Sequence, residues 1–196
     1  MLNRLSKLPK AMSQTLLYGV SVALMKGVSL LMLPIVTHYL EPEAFGRLEV
    51  LSSLAVIGSI LVAMGLEDTL YRFAGQAKDD EERHRHAAQI FGLTLMIGAS
   101  AWAIGWLAAP IIAAWMPGGI STYEVRLVLS LLALEGCISI PLGWLRMRDR
   151  AVAFFIASTG RALLQALLVV LFLHNGGGVE AVLEAGLIAA LIQTLY

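Results

Sequence analysis

TLLYGVSVALMKGVSLLMLPIVTHYLEPEAFGRLEVLSSLAVIGSILVAMGLEDTLYRF, residues 15–73, decides how the whole chain is read. It holds two apolar runs, Thr15–Thr37 and Phe45–Leu66, joined by the short turn HYLEPEA and closed by the polar cluster GLEDTLYRF. An α-helix rises about 1.5 Å per residue and needs roughly 20 apolar residues to cross about 30 Å of hydrocarbon. Both runs are long enough, so the stretch reads as a transmembrane hairpin.

Composition extends that reading to the rest of the chain. Apolar residues make up 58% and charged residues only 14%, with a mean hydropathy of +0.77, which excludes an ordinary soluble domain. The net charge of zero conceals segregation: charges gather in short stretches, and no basic face for nucleic acid is present. Further spans fall at about Ala87–Trp115, Leu127–Leu145, Ala151–Leu173 and Ala181–Tyr196. The expected fold is therefore an all-α integral membrane bundle of six transmembrane helices. Residues 11–37 are too long for a cleaved signal peptide, so MLNRLSKLPK reads as a basic flank of an uncleaved first helix. Cys137 is the lone cysteine, which rules out an intramolecular disulfide.

The connections fix a topology. Pro117–Tyr123 and His174–Val179 contain no Lys or Arg, whereas Arg4, Lys7, Lys10, Arg72, Lys78, Arg83, Arg85, Arg146, Arg148 and Arg150 all fall at the other ends of the spans. By the positive-inside rule the N-terminus is cytoplasmic. Gly19, Ala23 and Gly27 recur at every fourth position of the first span, a spacing that predicts close packing on a neighbouring helix.

Leu33-Pro34, Thr37-His38-Tyr39-Leu40, Pro42-Glu43 and Phe45-Gly46, followed a span later by Gly65-Leu66 and Leu70-Tyr71-Arg72-Phe73, resemble the opening of the polysaccharide-biosynthesis flippases. These are the Wzx-like oligosaccharidyl-lipid flippases of the MATE-like (MOP) superfamily. The resemblance implies one six-helix lobe of a two-lobed transporter. The sixth span looks cut short at Tyr196, and residues 1–196 amount to about half of what such a flippase needs, so a missing C-terminal six-helix lobe is expected as partner. The implied function is alternating-access translocation of undecaprenyl-pyrophosphate-linked oligosaccharide across the bacterial inner membrane during O-antigen or exopolysaccharide biosynthesis. Lipid-linked oligosaccharide and membrane lipids are the implied partners, and no cofactor is implied.

Ionisable residues at mid-bilayer cost roughly 2.5–3.5 kcal/mol on insertion scales and are functional candidates by default. Three meet that description: Lys26 in span one, Glu135 in span four and Arg161 in span five. Thr15, Tyr18 and Ser29 share the stripe of Lys26, which Val22 interrupts, while Ser158 and Gln165 continue that of Arg161 and Ser139 that of Glu135. These polar stripes predict a water-filled cavity lined by spans one, four and five. Lys26, Arg161, Tyr18, Ser29 and Gln165 are the candidate substrate contacts; with the resemblance, the two cations would hold the pyrophosphate. Glu135 is either a coupling group or the partner of Arg161 in a buried ion pair.

Glu67, Asp68 and Arg72 close span two and form a candidate cytoplasmic gate, exchanging partners with the basic end of span four. His84 and His86 belong to a solvated charge run rather than a metal site, and Gly176-Gly177-Gly178 lacks the Lys-Ser/Thr of a phosphate-binding loop. An enzymatic role is not expected. Two competing functions call for other features: a cation-coupled multidrug exporter of the same superfamily for an acidic cavity, and a membrane-embedded glycosyltransferase or polymerase for a loop rich in Asp, Glu or His.

Overall fold

A computed structural model of the chain describes residues 10–63 and 65–195; Arg4, Lys7 and Tyr196 lie outside them. The described residues form seven helices and no strand: α1 (Lys10–Tyr39), α2 (Pro42–Ala63), α3 (Leu66–Gly75), α4 (Asp80–Trp115), α5 (Thr122–Met147), α6 (Ala151–His174) and α7 (Val179–Thr194). Five stretches, Gln14–Tyr39, Pro42–Gly75, Asp80–Trp115, Thr122–Met147 and Ala151–His174, are long and apolar enough to cross a membrane. α7 has 16 residues, fewer than a full crossing needs, and begins two residues before the expected sixth span. The surface is that of a protein built for hydrocarbon: Leu30, Leu107 and Leu167 are 70%, 81% and 65% exposed.

Two helical segments went unread in the hydropathy pattern. The polar cluster after span two winds into α3, whose amphipathic pattern buries Leu66, Leu70 and Ala74 and leaves Asp68, Arg72 and Phe73 outward. The charged run Asp80–His86 is the first two turns of α4 rather than an irregular connection. Asp79 caps it by accepting a hydrogen bond from Glu82 N at 2.7 Å, and Asp80, Glu81 and Glu82 occupy the first turn, where carboxylates oppose the helix dipole.

α5 is the hub. It packs most extensively on α4, and also on α7, α2 and α3. Glycines set these contacts. A Cβ on Gly136 would fall 2.3 Å from Thr94 Cγ2 of α4, one on Gly58 of α2 would fall 2.4 Å from Leu132 Cδ1, and one on Gly98 of α4 would meet the Ala133 carbonyl oxygen at 3.1 Å. In lipid, close backbone approach of this kind replaces the hydrophobic effect as the source of helix association.

The hairpin expected of spans one and two is open. α1 and α2 touch sparsely, because α1 lies along α6 and α2 lies on α5. α1 and α6 run parallel: Gln14 donates to the Asp149 carbonyl at 2.8 Å and the Tyr39 hydroxyl lies 3.5 Å from His174 Nδ1, both pairs being 135 residues apart. The seam on α1 is Gln14, Tyr18, Ser21, Met25, Val28, Met32 and Val36, with Ser21 and Val36 buried, spaced by threes and fours. The face carrying Gly19, Ala23 and Gly27 therefore does not pack as expected; Gly19 and Gly27 have open space where a Cβ would stand.

Contacts between chain ends sort into two sets that match the charge segregation. At one end Tyr39 meets His174, Arg47 pairs with Glu124 at 3.7 Å, and Tyr123 donates to Glu184 at 2.8 Å. At the other, Arg148 pairs with Asp80 at 2.7 Å and Arg146 with Glu67 at 3.1 Å. A larger apolar core joins Val36, Leu51, Val125 and Leu173 toward the first end, and a smaller one joins Leu66, Leu70 and Ile90 toward the second.

Two measurements check this arrangement. In a Cys137→Ala background, Pro117→Cys is expected to react with an impermeant outside thiol reagent and Lys78→Cys only after permeabilisation; labelling of both from outside would contradict it. Gly136→Leu should lower thermal stability in detergent by about 1–3 kcal/mol through overpacking, whereas Gly19→Leu, facing open space, should stay within about 0.5 kcal/mol.

Candidate functional site

The charged residues of mid-depth do not all converge. Glu135 and Arg161 meet across α5 and α6, with Arg161 Nη2 3.9 Å from Glu135 Oε2. This is a loose contact rather than a buried hydrogen-bonded pair: the Glu135 side chain is 48% exposed and that of Arg161 22%. They open into a cavity of about 400 Å³ lined by Ser52, Ala55, Val56 and Ser59 of α2, Val128, Leu132 and Glu135 of α5, Arg161 and Gln165 of α6, and Val182 and Gly186 of α7. Gln165 comes close over Gly186, where an added Cβ would lie 3.4 Å from its Nε2.

The expected cavity of spans one, four and five is thus corrected: α2 and α7 supply its other walls, and α1 is not among them. The physical reason is the α1–α6 seam, which commits the Ser21 face of α1 to packing and turns Lys26 elsewhere. Lys26 and Ser29 are exposed, and among the described residues no acidic group pairs with Lys26. Depth, however, agrees with expectation. The 135-residue register of the two α1–α6 contacts is also the separation of Lys26 and Arg161, which places both at one level of two parallel helices. Ser158 is buried and returns its hydroxyl to the Phe154 carbonyl at 2.6 Å, so it offers nothing to a ligand.

Tyr18 belongs to a different cluster, at the basic end. Its ring lies edge-on to Phe154 at 5.3 Å, and the Arg146 guanidinium stands over the Phe154 ring, 5.0 Å from its centroid. Arg146 Nη2 in turn pairs with Glu67 Oε1 at 3.1 Å, and the Tyr71 hydroxyl donates to the same oxygen at 3.0 Å. Four helices, α1, α3, α5 and α6, are linked through this cluster. Of the three candidate gate residues, Glu67 pairs with Arg146 of span four, while Asp68 and Arg72 point outward and pair with no described residue.

Sequence reasoning missed the α2 wall and the buried Glu124. Ser52 and Ser59 lie seven residues, or two turns, apart on one face, a signal present in the sequence. Ser121-x-x-Glu124 is a capping box: Ser121 Oγ accepts from Glu124 N at 3.1 Å and Glu124 Oε2 accepts from Ser121 N at 2.7 Å, which holds Glu124 in place to meet Arg47.

Chemically, the mid-depth group offers guanidinium, ammonium and amide donors against a single carboxylate. Of these donors only Arg161 and Gln165 line the cavity with Glu135, and Lys26 stands exposed outside it. Comparison with known proteins gives one result: a family model described as polysaccharide biosynthesis protein matches residues 12–196. No curated protein and no solved structure matches the chain.

For the basic-end cluster, a double-mutant cycle of Glu67→Gln and Arg146→Gln on thermal unfolding in detergent should return a coupling of no more than about 1 kcal/mol, since both side chains are partly exposed. A coupling above about 3 kcal/mol would mean a pair far more buried than described here.

Proposed function

The chain belongs to the polysaccharide biosynthesis protein family, and we propose that within it the chain forms a lobe of a flippase that carries pyrophosphate-linked oligosaccharide on a polyprenyl lipid across the bacterial inner membrane, its N-terminus on the cytoplasmic side. A second six-helix lobe would face it and complete the path. The observation that carries this reading is the level shared by Lys26 and Arg161, with Arg161 only loosely held by Glu135 at 3.9 Å. A pyrophosphate needs several donors from different directions, and Arg161 can exchange a long contact for a short one at little cost.

Glu135 then has a defined part. Partial exposure to the cavity lets it hold Arg161 when the site is empty and release it when the anion arrives. An exporter of cationic compounds would want the opposite balance of charge at this depth. The sparse α1–α2 contact supports a route for Lys26 toward a ligand in the widening space between the two helices.

In the complete transporter, Lys26→Ala should abolish flipping with abundance near normal, because no described acidic partner is abandoned. Arg161→Ala should reduce flipping at least about tenfold but lower abundance only modestly, since a partly exposed pair contributes about 0–1 kcal/mol. Glu135→Gln with Arg161→Gln should recover abundance without activity. Surface-polysaccharide export in cells and uptake of lipid-linked oligosaccharide in proteoliposomes read the outcome; full activity of Lys26→Ala would overturn the mechanism.

A further inference from the structure

On the face of α5 opposite the cavity, a second cation lacks a counter-charge. Leu129, Ala133 and Gly136 face α4, whereas Val128, Leu132 and Glu135 face the cavity; Arg126 and Ser130 lie on the α4 side by helical spacing. The Arg126 guanidinium stands over the Trp106 ring, 4.8 Å from its centroid. Trp106 lies beside Trp102, with centroids 5.1 Å apart, and Trp102 Nε1 donates to Ser130 Oγ at 3.1 Å. The Ser130 hydroxyl donates in turn to the Arg126 carbonyl at 2.8 Å. Arg126 and its indole platform are thereby fixed to each other from both helices.

Among the described residues no carboxylate answers this charge. Glu124, two positions away, is taken by Ser121 and Arg47, and Glu184 by Tyr123. Arg126 Nε is buried and has no hydrogen-bond partner. With Nε enclosed, a partner from outside meets the terminal Nη groups, whose N–H bonds lie in the plane of the fork and match phosphate oxygens.

We propose that Arg126 and Trp106 bind the phosphate group of a membrane lipid on the α4–α5 face. Depth fits a headgroup, because Arg126 lies four residues inside the start of α5, about 6 Å along its axis. The outward side of the helix that carries Trp106 fits acyl chains: Leu107 and Ile111 of α4 are 81% and 64% exposed. A soluble anion would have no use for that apolar border. Trp102 and Trp106 supply the amphipathic rings that favour the zone between headgroup and hydrocarbon. The site is separate from the transport cavity and does not depend on the flippase reading.

The test is lipid binding to the full chain in an uncharged detergent, followed by native mass spectrometry. Phosphatidylglycerol should bind at least about tenfold more tightly than diacylglycerol carrying the same chains, the scale of one good charge-assisted contact. Arg126→Gln should erase that preference. Trp106→Leu, which keeps an apolar side chain of moderate size, should reduce it severalfold and serves if Arg126→Gln does not fold. Equal binding of the two lipids by the unaltered chain, or an unchanged preference in Arg126→Gln, would overturn the proposal. Displacement of the lipid by millimolar inorganic phosphate would assign the site to a free anion and overturn it equally.

Discussion

Helices in hydrocarbon gain little by hiding apolar side chains from one another, so their association depends on how closely their backbones approach. In this chain that constraint falls on α5. Gly136, Gly58 and Gly98 remove side chains at the points where α5 meets α4 and α2, and the positions of the remaining helices follow. Gly58 lets α2 admit Leu132 of α5, and the cavity lies beside that contact.

The polar groups obey a second rule, that a charge away from water must be answered or made useful. The chain does both. Buried Glu124 is held by its own cap and by Arg47, and half-buried Glu67 by Arg146 and Tyr71. Against that background of satisfied groups, Lys26, Arg161 and Arg126 stand out as cations with weak or absent acidic partners. All three lie in helices long enough to span.

Much of the architecture was legible in sequence because hydropathy reports a single variable, the solvent around a helix. The runs 15–37, 87–115, 127–145 and 151–173 each correspond to an observed helix. Their polar continuations were less legible: Asp80–His86 and the α3 segment are helical by capping and amphipathic pattern, signals that mean hydropathy averages away. Pairing between helices was least legible. The Gly19, Ala23 and Gly27 spacing is real, yet α1 uses the Ser21 seam, since small-residue spacing identifies a face capable of close approach without identifying its partner. The same gap explains the site. Glu135 and Arg161 meet as a loose, partly exposed contact and not as a buried ion pair, and the wall bearing Ser52 and Ser59 depended on α2 leaving α1, which no local pattern records.

The parallel pairing of α1 with α6 has a consequence in time. Contacts such as Gln14 with Asp149 join residues 135 positions apart, and a ribosome adding roughly 5–20 residues per second needs about 7–27 s to cover that distance. Throughout that interval the first helix, with Lys26 at its middle, resides in the bilayer before its principal neighbour has been made. Biogenesis of this protein thus contains a waiting period for the first helix, and the arrival of α6 marks its end.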